Sequence, residues 1–169
     1  MTMMIHECDV LKKLDLIAST EYALSNAAFN KFTVEWDLSS YQQYKNNKMY
    51  LVLEPSTQII PAVINTVTIR SLCLVASKGL SLDRHFRQGQ TDLITYFRCP
   101  RLAADADYGA FFPAVSHPVV IKLRELPEKE ITFEILENTK TRTNSTTGNN
   151  NTQIFSEVDL VFSLYIMKN

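Results

Sequence analysis

The alternation in the last part of the chain does most to limit its fold. Val158, Leu160, Phe162, Leu164 and Ile166 fall on one side of an extended backbone, with Asp159 and Ser163 on the other. A period of two is the signature of a strand with one buried face. Phe32, Val34, Trp36 and Leu38 alternate in the same way with Thr33, Glu35 and Asp37. Two such stretches far apart in sequence need partners, so the reading starts from a sheet protein.

Further strand candidates follow between turn signals. Met49–Leu53 is a continuous apolar run closed by Pro55, as expected for a central strand. Gln58–Ile64 contains Pro61, which cannot donate to a ladder, so it reads as an edge, a bulge or a loop. Thr66–Val75, Thr91–Phe97, Val119–Leu123 and Ile131–Ile135 complete the set, and Ser39–Lys48 and Ser77–Gln90 read as polar loops. The start is ambiguous. Val10, Leu11, Leu14 and Ile17 fit helical spacing with Asp9 as a cap, whereas Leu14, Leu16 and Ala18 alternate. The preferred reading is an N-terminal arm over 1–13 leading into a first strand near Leu14–Ala23. Asn138–Gln153, rich in Thr, Asn and Ser, is expected to be an exposed hairpin loop.

The sum is an all-β chain of about eight short antiparallel strands. Many short strands with frequent turns imply a two-sheet β-sandwich, and eight strands in two Greek keys make a single jelly roll. With 169 residues, 46% of them hydrophobic, one domain over 1–169 can bury a real core. No linker or internal repeat divides it.

Chemistry is sparse. His6, His85 and His117 are dispersed, with no Cys or His at metal spacing, and the three cysteines Cys8, Cys73 and Cys99 form no even framework. Cys73, inside an apolar run, reads as a buried thiol. Four glycines leave little room for a phosphate-cradling loop, and no nucleophile elbow appears. Asp105 and Asp107 read as an acidic turn more readily than as a calcium site. The expectation is no enzyme, no catalytic residue, no metal and no cofactor.

Charge sets the partners. Seventeen basic residues face eighteen acidic ones, for a net charge of -1, so no global field draws nucleic acid or an anionic membrane. Arg84, Arg87, Arg98 and Arg101, interleaved with aromatics, suit nucleic acid or an acidic partner surface, but more readily simply flank strand ends. No stretch approaches the about 18 apolar residues of a spanning helix. The first residues do not read as a secretory leader. Membrane insertion is therefore not expected, and synthesis is expected in the cytosol.

The order of segments resembles the small single jelly-roll capsid proteins of double-stranded DNA viruses, including penton and minor capsid proteins of virophages, polinton-like elements and large eukaryotic DNA viruses. The stretches that carry it are Phe32-Thr33-Val34-Glu35-Trp36, Lys48–Pro55, Thr68–Val75, Leu93–Phe97, Phe111–Val115, Ile131–Asn138 and Val158–Met167. The chain departs from that pattern in replacing a tight Asp-Gly turn before the last strand with the long Thr/Asn loop. The resemblance implies a virion structural protein that assembles with itself, often as a vertex pentamer, and with other capsid proteins. Its candidate contacts are Met1, Met3, Met4 and Ile5 in the arm and Arg84, Arg87 and Arg101. The rival reading is a non-catalytic, lectin-like or receptor-like binding module whose loop near Asp105, Asp107 and Tyr108 holds a ligand.

Overall fold

A computed structural model describes residues 5–26, 31–61, 70–83, 93–99, 112–113, 117–138, 143–145 and 155–169. Eight main strands run through them: β1 (Val10–Ser19), β2 (Lys31–Glu35), β3 (Met49–Leu53), β4 (Arg70–Lys78), β5 (Leu93–Cys99), β6 (Val119–Leu123), β7 (Glu130–Asn138) and β8 (Phe155–Met167). They form two antiparallel sheets, β1-β8-β3-β6 and β2-β7-β4-β5. The pairing is nested: first with last, second with seventh, third with sixth, fourth with fifth. That is one long hairpin rolled over itself, the winding of a jelly roll.

Four short strands extend this frame. Gln58–Pro61 continues β3 along β8 after a turn closed by the Thr57 amide on the Glu54 carbonyl, and Phe112–Pro113 pairs with it. Pro61 pairs opposite an irregularity in β8 between Phe155 and Glu157, a place that suits a residue without an N–H to donate. Ser25–Asn26 pairs with β2 and Thr143–Ser145 with β7. The latter belongs to the segment expected as a polar loop, so part of 138–153 lengthens the hairpin; residues 139–142 and 146–153 lie outside the described residues.

The core follows from the alternation. Val158, Leu160, Phe162, Leu164 and Ile166 are fully buried, and Phe32, Val34, Trp36 and Leu38 are buried opposite them. Phe133 of β7 stacks on Phe162 of β8 at 5.4 Å between centroids, and Trp36 meets Phe162 edge-on at 5.6 Å. These contacts tie one sheet to the other. Each such pair adds about 1 kcal/mol beyond the area it buries. Met49–Leu53 is buried along its whole length, as its unbroken apolar run requires of a strand with a covered outer face. Cys73 is buried in β4.

Three boundaries differ from the sequence reading. The first strand starts at Val10, so Val10–Lys13 belong to the sheet and the arm is shorter than 1–13. The helical spacing over Val10–Ile17 loses because Leu14, Leu16 and Ala18 bury against β8 only in extended form. Ser39–Tyr44 makes a 3-10 turn in the expected loop, opened by Asp37, whose carboxylate accepts from the Ser39 amide and hydroxyl. β4 runs on to Lys78 and turns at Gly79, which has a positive φ of 85°.

Candidate assembly surface

Of the sequence-derived contact residues, only Ile5 is described; Met1, Met3, Met4, Arg84, Arg87 and Arg101 lie outside the described residues, as do Asp105, Asp107 and Tyr108. Ile5 is half-buried against its own chain, lining a shallow cleft with Tyr50 and Met167. The residues just after it are tied to the C-terminal strand: the Lys168 amide donates to the Asp9 carbonyl at 2.8 Å and its ammonium to the Cys8 carbonyl at 2.6 Å. From Cys8 onward the segment is therefore fixed to its own sheet.

The described histidines, His6 and His117, are exposed, and no group of three His, Cys, Asp or Glu side chains among the described residues is arranged to hold a metal. Among the same residues no helix is long and apolar enough to cross a membrane. The β1-β8-β3-β6 sheet has two rims, β6 and β1, that differ in backbone pairing and in charge.

One rim is β6. Ser81–Asp83 runs beside it: the Arg124 amide donates to the Ser81 carbonyl and the Asp83 amide to the Lys122 carbonyl, with a bridge between Leu82 and Leu123. The Asp83 carboxylate then binds the Lys122 ammonium and reaches Arg124 at 3.8 Å. Its hydrogen bond and charge raise the Lys122 pKa above the ordinary lysine value. Backbone and side chain together cover this rim from Lys122 to Arg124.

The other rim is β1. Which of its backbone groups face outward follows from parity, because opposed residues in an antiparallel pair alternate between bonded and non-bonded. The Thr20 amide bonds to the Val158 carbonyl, so even-numbered residues from Lys12 on face β8. On the other flank of β8 the odd residues Val161 and Met167 bond toward β3, which leaves its even residues for β1. Lys13, Asp15, Ile17 and Ser19 thus aim their N–H and C=O groups away from the sheet. Trp36 confirms the direction: its indole N–H donates to the Ile17 carbonyl at 3.0 Å. Among the described residues no strand pairs with this edge.

The side chains of Lys13, Asp15 and Ile17 lie exposed on the outer face, whereas Ser19 is buried. Lys13 sits over the Tyr165 ring at 5.7 Å and 3.6 Å from Asp15. Tyr165 first, then Asp15, hold its pKa above the ordinary value. The Ser163 hydroxyl donates to the Asp15 carboxylate at 3.3 Å. The Lys13 and Asp15 side chains remain 49% and 78% exposed, and Ile17 and Leu11 are 61% and 39% exposed. Tyr22 and Leu24, in the turn beyond β1, are also exposed.

Sequence reasoning missed this edge because it placed 1–13 in the arm. The available signal was Lys13-x-Asp15-x-Ile17, a set on one face with opposite charges two residues apart. No family model matches the chain, and no curated protein or solved structure matches it either.

Proposed function

We propose that this chain is a structural protein that acts by assembly, a single jelly-roll penton or minor capsid component of a virion, made in the host cytosol. The observation that carries the reading is the nested jelly-roll winding with one sheet edge, β1, that no strand among the described residues pairs with. The sandwich supplies a rigid block, and an unpaired edge with exposed apolar and charged side chains is a surface suited to a protein neighbour. A ring built from such blocks repeats one heterologous contact until it closes.

The test is the mass of the purified full chain by light scattering over a concentration series. A discrete closed ring, with a pentamer expected, supports a vertex protein. A chain that forms no ring at any concentration overturns the self-sufficient vertex and moves the weight to the binding module. That alternative predicts ligand affinity that changes on substitution of Asp105, Asp107 or Tyr108.

A further inference from the structure

We propose that the open edge of β1 joins a second copy of this chain, strand to strand, about a two-fold axis beside Leu14. The contact does not rest on the capsid reading, and either can hold without the other.

The outward backbone groups of β1 belong to Lys13, Asp15, Ile17 and Ser19. An added antiparallel strand of the same sequence therefore forms its bonds only in registers that set odd residues against odd residues. Few such registers exist, and side-chain chemistry separates them. Lys13 opposite Lys13 of the second copy faces like charges. Lys13 opposite Ile17 brings Asp15 against Asp15. Lys13 opposite Leu11, or opposite Ser19, leaves each charge without a countercharge. Lys13 opposite Asp15 differs from all of these: the two-fold axis then generates Asp15 opposite Lys13 as well. Unlike charges meet twice.

The same register leaves Leu11 of one copy on the side of Ile17 of the other, but Leu11 lies at the register shift between Val10 and Lys12, so the regular ladder is confined to Lys13 and Asp15. Leu11 and Ile17 are two of the exposed large apolar side chains of the described residues, and both lie on β1. Opposed pairs of unlike charge and of apolar residues are the unit that stabilises neighbouring strands. The two Lys13–Asp15 positions each exchange two backbone bonds, and the β1-β8-β3-β6 sheets of the two copies become one continuous sheet. Trp36 sets the limit of the pairing, since its indole already occupies the Ile17 carbonyl. A two-fold contact of this kind is isologous and closes on itself.

The charges give a direct test in the full chain. Lys13→Asp faces Asp with Asp in a self-pair, and Asp15→Lys faces Lys with Lys. Each single variant should self-associate at least about tenfold more weakly than the wild type, from the loss of two attractions and the gain of two repulsions. The two variants mixed in equal amounts should associate with each other, because every contact between them is again unlike. Lys13→Asp/Asp15→Lys in one chain should recover self-association, and circular dichroism should report the native fold in all three. The readout is a factor of two in mass by sedimentation, whatever ring the rest of the surface builds; ring size is read separately from the single variants. Single variants that pair as well as the wild type, a mixture that stays unpaired, or a wild type that shows no doubling across the concentration series each overturn the contact.

Discussion

The two rims of the β1-β8-β3-β6 sheet have opposite treatment. At β6 the chain returns on itself, and Ser81–Asp83 takes up the outward carbonyl of Lys122 and amide of Arg124. At β1 one indole N–H meets one carbonyl, and among the described residues nothing else pairs with the edge. Unpaired strand edges are templates for adding another strand, and proteins cover them, shorten them or charge them. Here one rim is covered at its Lys122–Arg124 end and the other carries Lys13 and Asp15. Charge of a single sign on an edge repels a copy of itself. Charge of both signs two residues apart repels in some registers, finds no countercharge in others and attracts in one. A charged edge can therefore select a partner as well as exclude one.

The cover on β6 depends on Gly79, so the largest way to break the contrast is Gly79→Ala. A Cβ there would collide with the carbonyl oxygen of Glu130 and lie 3.0 Å from the Ile131 Cα, both backbone atoms of β7. The positive φ adds strain for any L side chain. The expected loss is about 3 kcal/mol, read by urea denaturation. Hydrogen exchange at the Arg124 amide, whose acceptor is Ser81, should quicken more than exchange across the β8–β3 ladder. A stability within about 0.5 kcal/mol of wild type would show that the return strand does not depend on this turn.

Trp36→Phe sharpens the other side of the comparison. The ring still fills space between Phe133 and Phe162, but the Ile17 carbonyl loses its donor. The cost should be about 2 kcal/mol, combining the lost hydrogen bond with the volume of the missing ring. Because the substitution frees an outward acceptor on β1, self-association should hold or strengthen. Weaker self-association in a variant of native circular dichroism would mean that Trp36 shapes the edge instead of merely ending it.

Sequence and structure agree where burial dictates alternation. The faces of Val158–Ile166 and Phe32–Leu38, the unbroken Met49–Leu53 run and the jelly-roll class were legible, since a strand buried on one side or both has few alternatives in residue type. The start was not. Val10–Ile17 carries apolar residues at both helical and strand spacing, and only the ladder to β8 decides between them. The cover on β6 was hidden for a related reason. Ser81–Asp83 contributes mainly backbone hydrogen bonds, and these leave little trace in residue type beyond the apolar Leu82. The β1 edge is a third case: its chemistry is written in Lys13, Asp15 and Ile17, but which backbone groups face outward depends on parity with β8.

The smallest expected effect tests how far the β6 rim relies on charge. In Asp83→Asn the backbone bonds of Ser81–Asp83 remain, while Lys122 loses the partner that raises its pKa. Its pKa should fall toward the ordinary 10.5, followed by NMR of the ammonium-bearing carbon through an alkaline titration. The sign of the stability effect is fixed by linkage. A lysine whose pKa is raised by folding stabilises the fold below its unfolded value, and that contribution is lost as pH rises through the folded value. The wild type should therefore exceed Asp83→Asn in melting temperature at neutral pH, with the gap closing above about pH 10.5, where the lysine discharges. Both residues are at the surface, so the neutral-pH gap should be small and should shrink in high salt. A gap that persists unchanged through alkaline pH would assign Asp83 to the backbone geometry of the return strand and leave that rim closed by hydrogen bonds alone, in contrast to a β1 edge whose partner is chosen by charge.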